Sequence, residues 1–295
     1  MKKLAQGCFV AMMIVCFGQA TYAQDLLKEL GPDSLRKEHA THAFKSSRVI
    51  NTHSMEFIGK GVLDVRILHR FGTVNNGIKD LFGLDQANMR FGFDYGLGKS
   101  LTVGIGRSNV NKELDGFVKY RPVWQSTGPG SVPFTLVLIT GMSVVTQDFP
   151  EPQDIYKFQH RLAFYQELVI GRKFSEAFSL QVNPIYLHRN LVQGTNDENN
   201  TWALGVGGRL KLTKRTAFVV DYEPILSGRQ AGTKDPIAFG FDIETGGHVF
   251  QLHFSNARGM NEKALLTTTT DDFWKGEIRF GFNLSRVFNI RKNKG

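Results

Sequence analysis

The chain of 295 residues is basic, with 36 Lys and Arg against 27 Asp and Glu, and it carries 24 Phe. Both cysteines, Cys8 and Cys16, lie in the first apolar stretch, which excludes a disulfide framework or thiol chemistry in the remainder. No clustered Lys/Arg helix and no aromatic RNP-like strand accompanies the positive charge, so nucleic acid is excluded as a partner and a surface facing anionic lipid or lipopolysaccharide is expected.

Lys2 and Lys3 form a basic start, Leu4 to Phe17 is largely apolar, and Thr21-Tyr22-Ala23 places small residues before Gln24. This pattern predicts a signal peptide over residues 1–23 and export through the Sec pathway. The apolar run is shorter than the roughly 20 residues of a spanning helix, and no second run of that kind follows. A membrane-embedded remainder must then be a β-barrel, because only helices and closed barrels satisfy every backbone polar group in lipid.

Residues 24–60 lack strong alternation and are expected to form a periplasmic or lumen-entering segment, opening with a short helix at Asp25 to Leu30 that Gly31-Pro32 ends. His39, His42 and His53 with Glu38 or Glu56 contain metal-ligating chemistry. No second cluster at ligand spacing accompanies them, so they are read as solvated histidines of a flexible arm and no metal or cofactor is expected. Arg48 to Phe57 alternates weakly and would break the strand parity derived below if it were a strand.

From residue 61 the period is two. Leu63, Val65, Ile67 and Phe71 oppose Asp64, Arg66 and Arg70; Met89, Phe91, Phe93, Tyr95 and Leu97 oppose Asn88, Arg90, Gly92, Asp94 and Gly96. Trp202, Leu204, Val206, Leu210 and Leu212 oppose Gly205, Gly207, Arg209 and Lys211. Ile237, Phe239, Phe241 and Ile243 oppose Ala238, Gly240, Asp242 and Glu244, and Ile278, Phe280, Phe282 and Leu284 oppose Glu277, Arg279, Gly281 and Asn283. A soluble sandwich would bury the apolar face, whereas a membrane barrel points it at lipid and the polar face at a lumen. The barrel is favoured by small and oppositely charged residues on the polar face, by Tyr and Trp near strand ends, and by short connections alternating with long polar ones.

The alternation predicts an all-β, antiparallel transmembrane barrel over 61–288, with strands near 62–71, 88–96, 101–108, 114–124, 133–145, 158–171, 177–189, 201–211, 215–223, 236–244, 248–255 and 272–284, and a basic tail over 289–295. Twelve is even and leaves both ends in the periplasm, with ten or fourteen strands the counts that one misread hairpin would give. Pro184 removes a ladder donor inside one strand and is expected to mark a bulge. The connections near 109–113 and 125–132 do not follow the short and long alternation. The polar face predicts a lumen charge network of Asp64, Arg66, Arg70, Arg90, Asp94, Arg209, Asp221, Asp242, Glu244, Glu277 and Arg279.

Gly61-Val62-Leu63-Asp64-Val65-Arg66-Ile67-Leu68-His69-Arg70-Phe71-Gly72 with Leu81-Phe82-Gly83-Leu84-Asp85, then Leu101 to Ser108, then Phe254 to Met260 form a set of segments. They resemble a Bacteroidota-type family of outer-membrane β-barrels classified as a domain of unknown function. The resemblance extends over nearly all of the chain after residue 43, implies the barrel, and carries no catalytic or binding residue.

His253 and Ser255, two apart on a strand, share a face and look like the His-x-Ser pair of outer-membrane phospholipases. Phe250, Leu252 and Phe254 take the lipid side here, which turns the pair inward and away from a lipid substrate, so an enzyme is not expected. Gly92-x-x-x-Gly96-x-Gly98 and Gly205-x-Gly207-Gly208 lack the helix and Lys-Ser/Thr of a phosphate loop. Asp221 with Glu223, and Asp242 with Glu244, are read as lumen carboxylates. The expected function is passage or binding of a small solute in a charged lumen of the Gram-negative outer membrane. The alternatives are a non-conducting adaptor barrel with a periplasmic partner and a lipid hydrolase using His253 and Ser255. Expected partners are outer-membrane lipid, lipopolysaccharide and the barrel-assembly machinery.

Overall fold

A computed structural model describes residues 36–151, 156–192, 194 and 196–290. The expected signal peptide, the short helix near Asp25 and most of the basic tail lie outside the described residues. Twelve long strands alternate along the chain: β1 Val62–Thr73, β2 Ala87–Gly96, β3 Leu101–Ser108, β4 Glu113–Val123, β5 Thr135–Val145 and β6 Leu162–Lys173 come first. They are followed by β7 Phe178–Arg189, β8 Asn200–Lys211, β9 Thr216–Tyr222, β10 Ile237–Thr245, β11 His248–Ser255 and β12 Arg279–Asn289. Each pairs antiparallel with its sequence neighbours, and β12 pairs β1, so the sheet closes on itself. Closure leaves no unpaired edge, the condition for strands to stand in lipid. No described helix is long and apolar enough to cross a membrane, which says nothing against strands.

The start of β1, the end of β12 and the tight turns 97–100, 174–177, 212–215 and 246–247 share one end of the barrel. By the loop rule this is the periplasmic end, and the longer connections 74–86, 146–161, 190–199, 223–236 and 256–278 mark the outer one. The two exceptions noted in the sequence persist, a short outer connection at 109–112 and a long periplasmic one at 124–134. Within the latter, Ser126–Thr127 pairs with Glu38–His39 as a small separate unit.

Outward side chains such as Phe91, Phe93, Ile105, Leu138, Phe241 and Phe254 are exposed, as a lipid-facing surface requires, while Asp64, Arg66, Arg90 and Asp94 are buried. Rings meet across strands on the outer face: Phe254 and Phe280 lie 5.6 Å apart, Phe71 and Phe280 5.7 Å, and Phe250 and Phe282 6.0 Å between centroids. Cross-strand aromatic pairs of this kind contribute roughly 0.2–1 kcal/mol each.

Pro184 makes no bulge: its register with β8 is unbroken, and only the β6 side of the ladder skips the two pairs around it. Register shifts fall between Tyr120 and Val123, around Pro122, between Arg279 and Gly281, and, where β8 pairs the short segment Ile225–Ser227, between Trp202 and Ala203. The last strand also begins later than expected. Asp272 caps the turn Phe273–Lys275, and Gly276 adopts φ 78°, so the chain turns before it can join the sheet at Arg279.

Candidate functional site

The lumen is filled by the chain itself. Residues 40–58 enter from the periplasmic end and fold into a tight hairpin in which Val49 N donates to Thr52 O and Ser54 N donates to Ser47 O. Arg48 to Phe57 is therefore neither a thirteenth strand nor part of a flexible arm. Such irregular backbone is tolerated at membrane depth only where the protein supplies partners for its polar groups.

The wall supplies them. At the hairpin tip, Asp221 of β9 accepts from Ile50 N (3.1 Å), Asn51 N (2.7 Å) and Thr52 N (3.0 Å) at Oδ2, and from the Thr52 hydroxyl (2.7 Å) at Oδ1. Three successive N–H groups turned to one carboxylate form a nest, a concavity suited to an anion. Gln251 of β11 donates to Val49 O (2.6 Å), and Asn283 of β12 donates to Ile50 O (3.0 Å). Gln181 and Asn183 of β7 donate to His53 O at 2.7 and 3.0 Å, and Gln181 also accepts from Met55 N at 3.0 Å. Lys119 of β4 donates to Glu56 O (2.7 Å), and Arg70 of β1 donates to the Asn51 side chain (3.0 Å). Close approach requires small residues on the wall: a Cβ on Gly207 would lie 2.8 Å from Val49 Cγ2.

On the β4 to β8 side the contact is apolar. Ala43, Phe44, Val49 and Met55 pack with Phe117, Val137, Ile139, Val169, Ile185 and Leu187, all buried. These wall positions face inward, so the middle of β5 is apolar on both faces, and β7 is so around Ile185 and Leu187 while Gln181 and Asn183 keep the rest of its inner face polar. The two-faced run Leu136-Val137-Leu138-Ile139 was the available signal: lipid accounts for one face, and a second apolar partner is needed for the other.

The outer half is filled by the β11–β12 connection, which folds inward around the helix α1, Glu262–Thr268, capped by the Asn261 side chain. Met260, Ala264, Leu265 and Leu266 are buried. Glu262 forms an ion pair with Arg48 of the hairpin, both side chains almost fully enclosed, so the two fillings meet.

Of the predicted charge network, Asp64, Arg66, Arg70, Arg90, Asp94, Arg209, Asp221 and Asp242 are buried, and Glu244, Glu277 and Arg279 are not. Arg90 pairs with Asp115, Arg66 lies 3.6 Å from Asp64, Arg279 pairs with Asp271, and Arg209 donates to the carbonyls of His42 and Ala43. Glu244 sits beside a tight turn and meets Lys45, while Glu277 accepts from Asp272 N within the loop turn. Asp115, Lys119 and Glu167 were missed, and residues 24–60 were expected only as a periplasmic or lumen-entering segment without named contacts, because a partner from outside the strand pattern leaves no trace in that pattern.

His39 and His42 are exposed and His53 is fully buried, so the three do not assemble. His53 instead has a potential ligand atom within 4.8 Å of those of Glu167 and Glu262, and its Nε2 lies 3.3 Å from both Glu262 Oε1 and the Tyr165 hydroxyl. The Arg48 guanidinium is ion-paired with Glu262 there. Burial first, then the charges of Arg48 and Lys119, hold the His53 imidazole well below its ordinary pKa. Burial raises the Glu56 carboxyl above its ordinary range, against donation from Ala43 N and Phe44 N. His253 and Ser255 are buried toward the interior, and neither His253 ring nitrogen has a side-chain partner, so the pair is not joined as a nucleophile and base.

Residues 44–288 match the family described as Membrane bound beta barrel domain (DUF5777). No curated protein matches the chain in sequence. Among solved structures, the outer membrane protein Omp33 of Acinetobacter baumannii is 10% identical, with 77% of this chain and 97% of that chain covered at a TM-score of 0.40. The translocator domain of the autotransporter NalP from Neisseria meningitidis is 12% identical, with 79% and 89% covered at 0.33. A mutant porin of Rh. blastica is 9% identical, with 77% and 100% covered at 0.31. At scores of this size the likeness does not extend to function.

Proposed function

The chain belongs to this family of membrane-bound β-barrels, and from that premise we propose that it is an outer-membrane barrel shut at rest, through which a small solute passes only when the hairpin of residues 40–58 leaves the lumen. The observation that carries the reading is the capture of three hairpin amides by Asp221. It is a polar, exchangeable attachment, and its release would leave, on the β9 to β1 side, a wall of charged and amide side chains suited to water. Sec export of a precursor belongs to the same reading.

A second reading, a non-conducting structural barrel, is favoured by the filling of the outer half by α1 and the Arg48–Glu262 pair. Planar-bilayer recording of the refolded chain separates them. The gated reading expects a silent wild type and intermittent openings in Asp221→Ala. Steady conductance of the wild type would overturn closure. Silence of Asp221→Ala, in protein whose hairpin has become open to water-soluble maleimide at an introduced cysteine, would leave the structural reading.

A further inference from the structure

At the outer end, above the hairpin, Gln147 to Pro150, His160 to Leu162, Arg189, Leu191 and the helix α1 line a cavity of about 230 Å³. Its charged lining is one-sided. Among the described lining residues Arg161, Arg189, Lys263 and His160 are basic and Asp148 is the one acid. Lys263 is paired with Glu113 at 3.1 Å, and neither Arg161 nor Arg189 is ion-paired to a described carboxylate, although Asp197 acts on Arg189 from further off.

Arg161 is held in place without a carboxylate. Its Nη1 donates to the carbonyls of Val145 (3.1 Å) and Gln147 (2.6 Å), and its guanidinium lies 4.6 Å from the Phe149 ring centre. Arg189, at the outer end of β7, is 3% exposed. One nitrogen, Nη2, donates to Glu198 O (2.7 Å) and to the Thr201 hydroxyl (3.4 Å), while Nε and Nη1 have no hydrogen-bond partner among the described residues. A buried donor left unmatched costs roughly 1–3 kcal/mol, and more when it is charged. A guanidinium is also the group best shaped to receive carboxylate or phosphate oxygens. Phe149, Leu191 and Leu162 supply apolar surface for the body of a ligand beside these donors.

We propose that this outer cavity is a binding site for the carboxylate or phosphate group of a small solute, with Arg189 and Arg161 as its anion-binding residues. The proposal rests on the shut-barrel reading for the identity of what is admitted, but binding is measured in the shut protein, so silence in the bilayer and absence of binding are separate failures. The same phosphate chemistry is present on lipopolysaccharide, and the two sources are distinguished by the membrane used.

The test is titration calorimetry of the full refolded chain in phospholipid nanodiscs with glucose 6-phosphate and glucuronate, and glucose as the uncharged control. At least one charged probe is expected to bind at least tenfold more tightly than glucose, with affinity falling as salt rises. Arg189→Gln and, independently, Arg161→Gln are each expected to weaken binding at least tenfold. Folding of each variant is checked by its heat-modifiable gel mobility, and Arg161→Gln, which alters no strand residue, keeps the test open if Arg189→Gln does not fold. Loss of probe binding only in nanodiscs containing lipopolysaccharide would assign the occupant to the lipid phosphates. No binding of either charged probe at 10-fold the concentration that saturates a typical millimolar site, in discs free of lipopolysaccharide, would overturn the proposal. So would charged-probe affinity unchanged in both folded variants.

Discussion

The two sides of the lumen hold the same hairpin by different physics. From β9 round to β1 the wall offers Asp221, Gln251, Asn283 and Arg70, and each makes a directed hydrogen bond to the hairpin. From β4 to β8 the contact is dominated by Phe44, Val49 and Met55 against the inward apolar faces of β5 to β7, although Gln181, Asn183 and Lys119 add hydrogen bonds there. Directed bonds fix the register of the tip, because a shift of one residue would misplace three amides at once. Apolar packing is tolerant of register and supplies the bulk of the burial. A plug held in both ways can be specific on one side and adjustable on the other.

The largest effect is expected on the directed side. Asp221→Ala strands three buried amides and the Thr52 hydroxyl, and with hydrogen bonds to a charge worth roughly 1.5–3 kcal/mol each, partly recovered by water, the loss should be about 3–5 kcal/mol. Protection of the amides of residues 50–52 from hydrogen exchange reads it directly. If those amides stay as protected as in the wild type, the tip is not held by this carboxylate.

Phe44→Ala empties part of the apolar side and should cost about 3 kcal/mol, at the low end for a buried Phe because a lumen can admit water. The comparison predicts that its amide exchange rises evenly along residues 43–57, without the concentration at the tip expected of Asp221→Ala. Identical exchange maps for the two variants would erase the distinction between the sides.

The smallest effect is set by pH. Because the folded state holds His53 neutral well below its ordinary pKa, this group's contribution is full above about pH 6.5 and is lost as pH falls below it, by up to about 1.4 kcal/mol per pH unit. The Glu56 carboxyl, raised by burial, has the opposite sign, its contribution being lost as pH rises through its folded value. The thermal midpoint of the wild type, measured against that of His53→Gln, is expected to fall between pH 7 and pH 5.5, since Glu56 is common to both. An equal fall in both proteins would remove His53 from the account.

The strands were legible because lipid and lumen impose a period of two on every one of them, and β3 Leu101–Ser108 and β11 His248–Ser255 fall where the alternation places them. The end of the barrel was less so: Trp274 and Glu277 continue the alternating pattern, yet Asp272 and Gly276 turn the chain out of the sheet before Arg279. The inward direction of Asp221 and Asp242 could be read from their neighbours, but their partners could not. Asp221 binds backbone amides, which every residue carries, and Arg48 meets Glu262 across 214 positions of sequence. The apolar interior of β5 to β7 was hidden for a related reason, since a strand apolar on both faces does not say which face meets lipid.

The central claim is that the hairpin of residues 40–58 occupies the lumen, and cysteine cross-linking tests it most directly because both native cysteines, Cys8 and Cys16, belong to the expected leader. Val49→Cys combined with Gly207→Cys places two thiols on the hairpin and on the inner wall of β8, where the native Val49 side chain is within 2.8 Å of a Cβ at position 207. In the double variant prepared from residue 24 onward and refolded into outer-membrane lipid, mild oxidation is expected to yield one intramolecular disulfide joining the two peptides, identified by mass spectrometry. Two free thiols, both labelled by a water-soluble maleimide in protein shown to be folded, would contradict it.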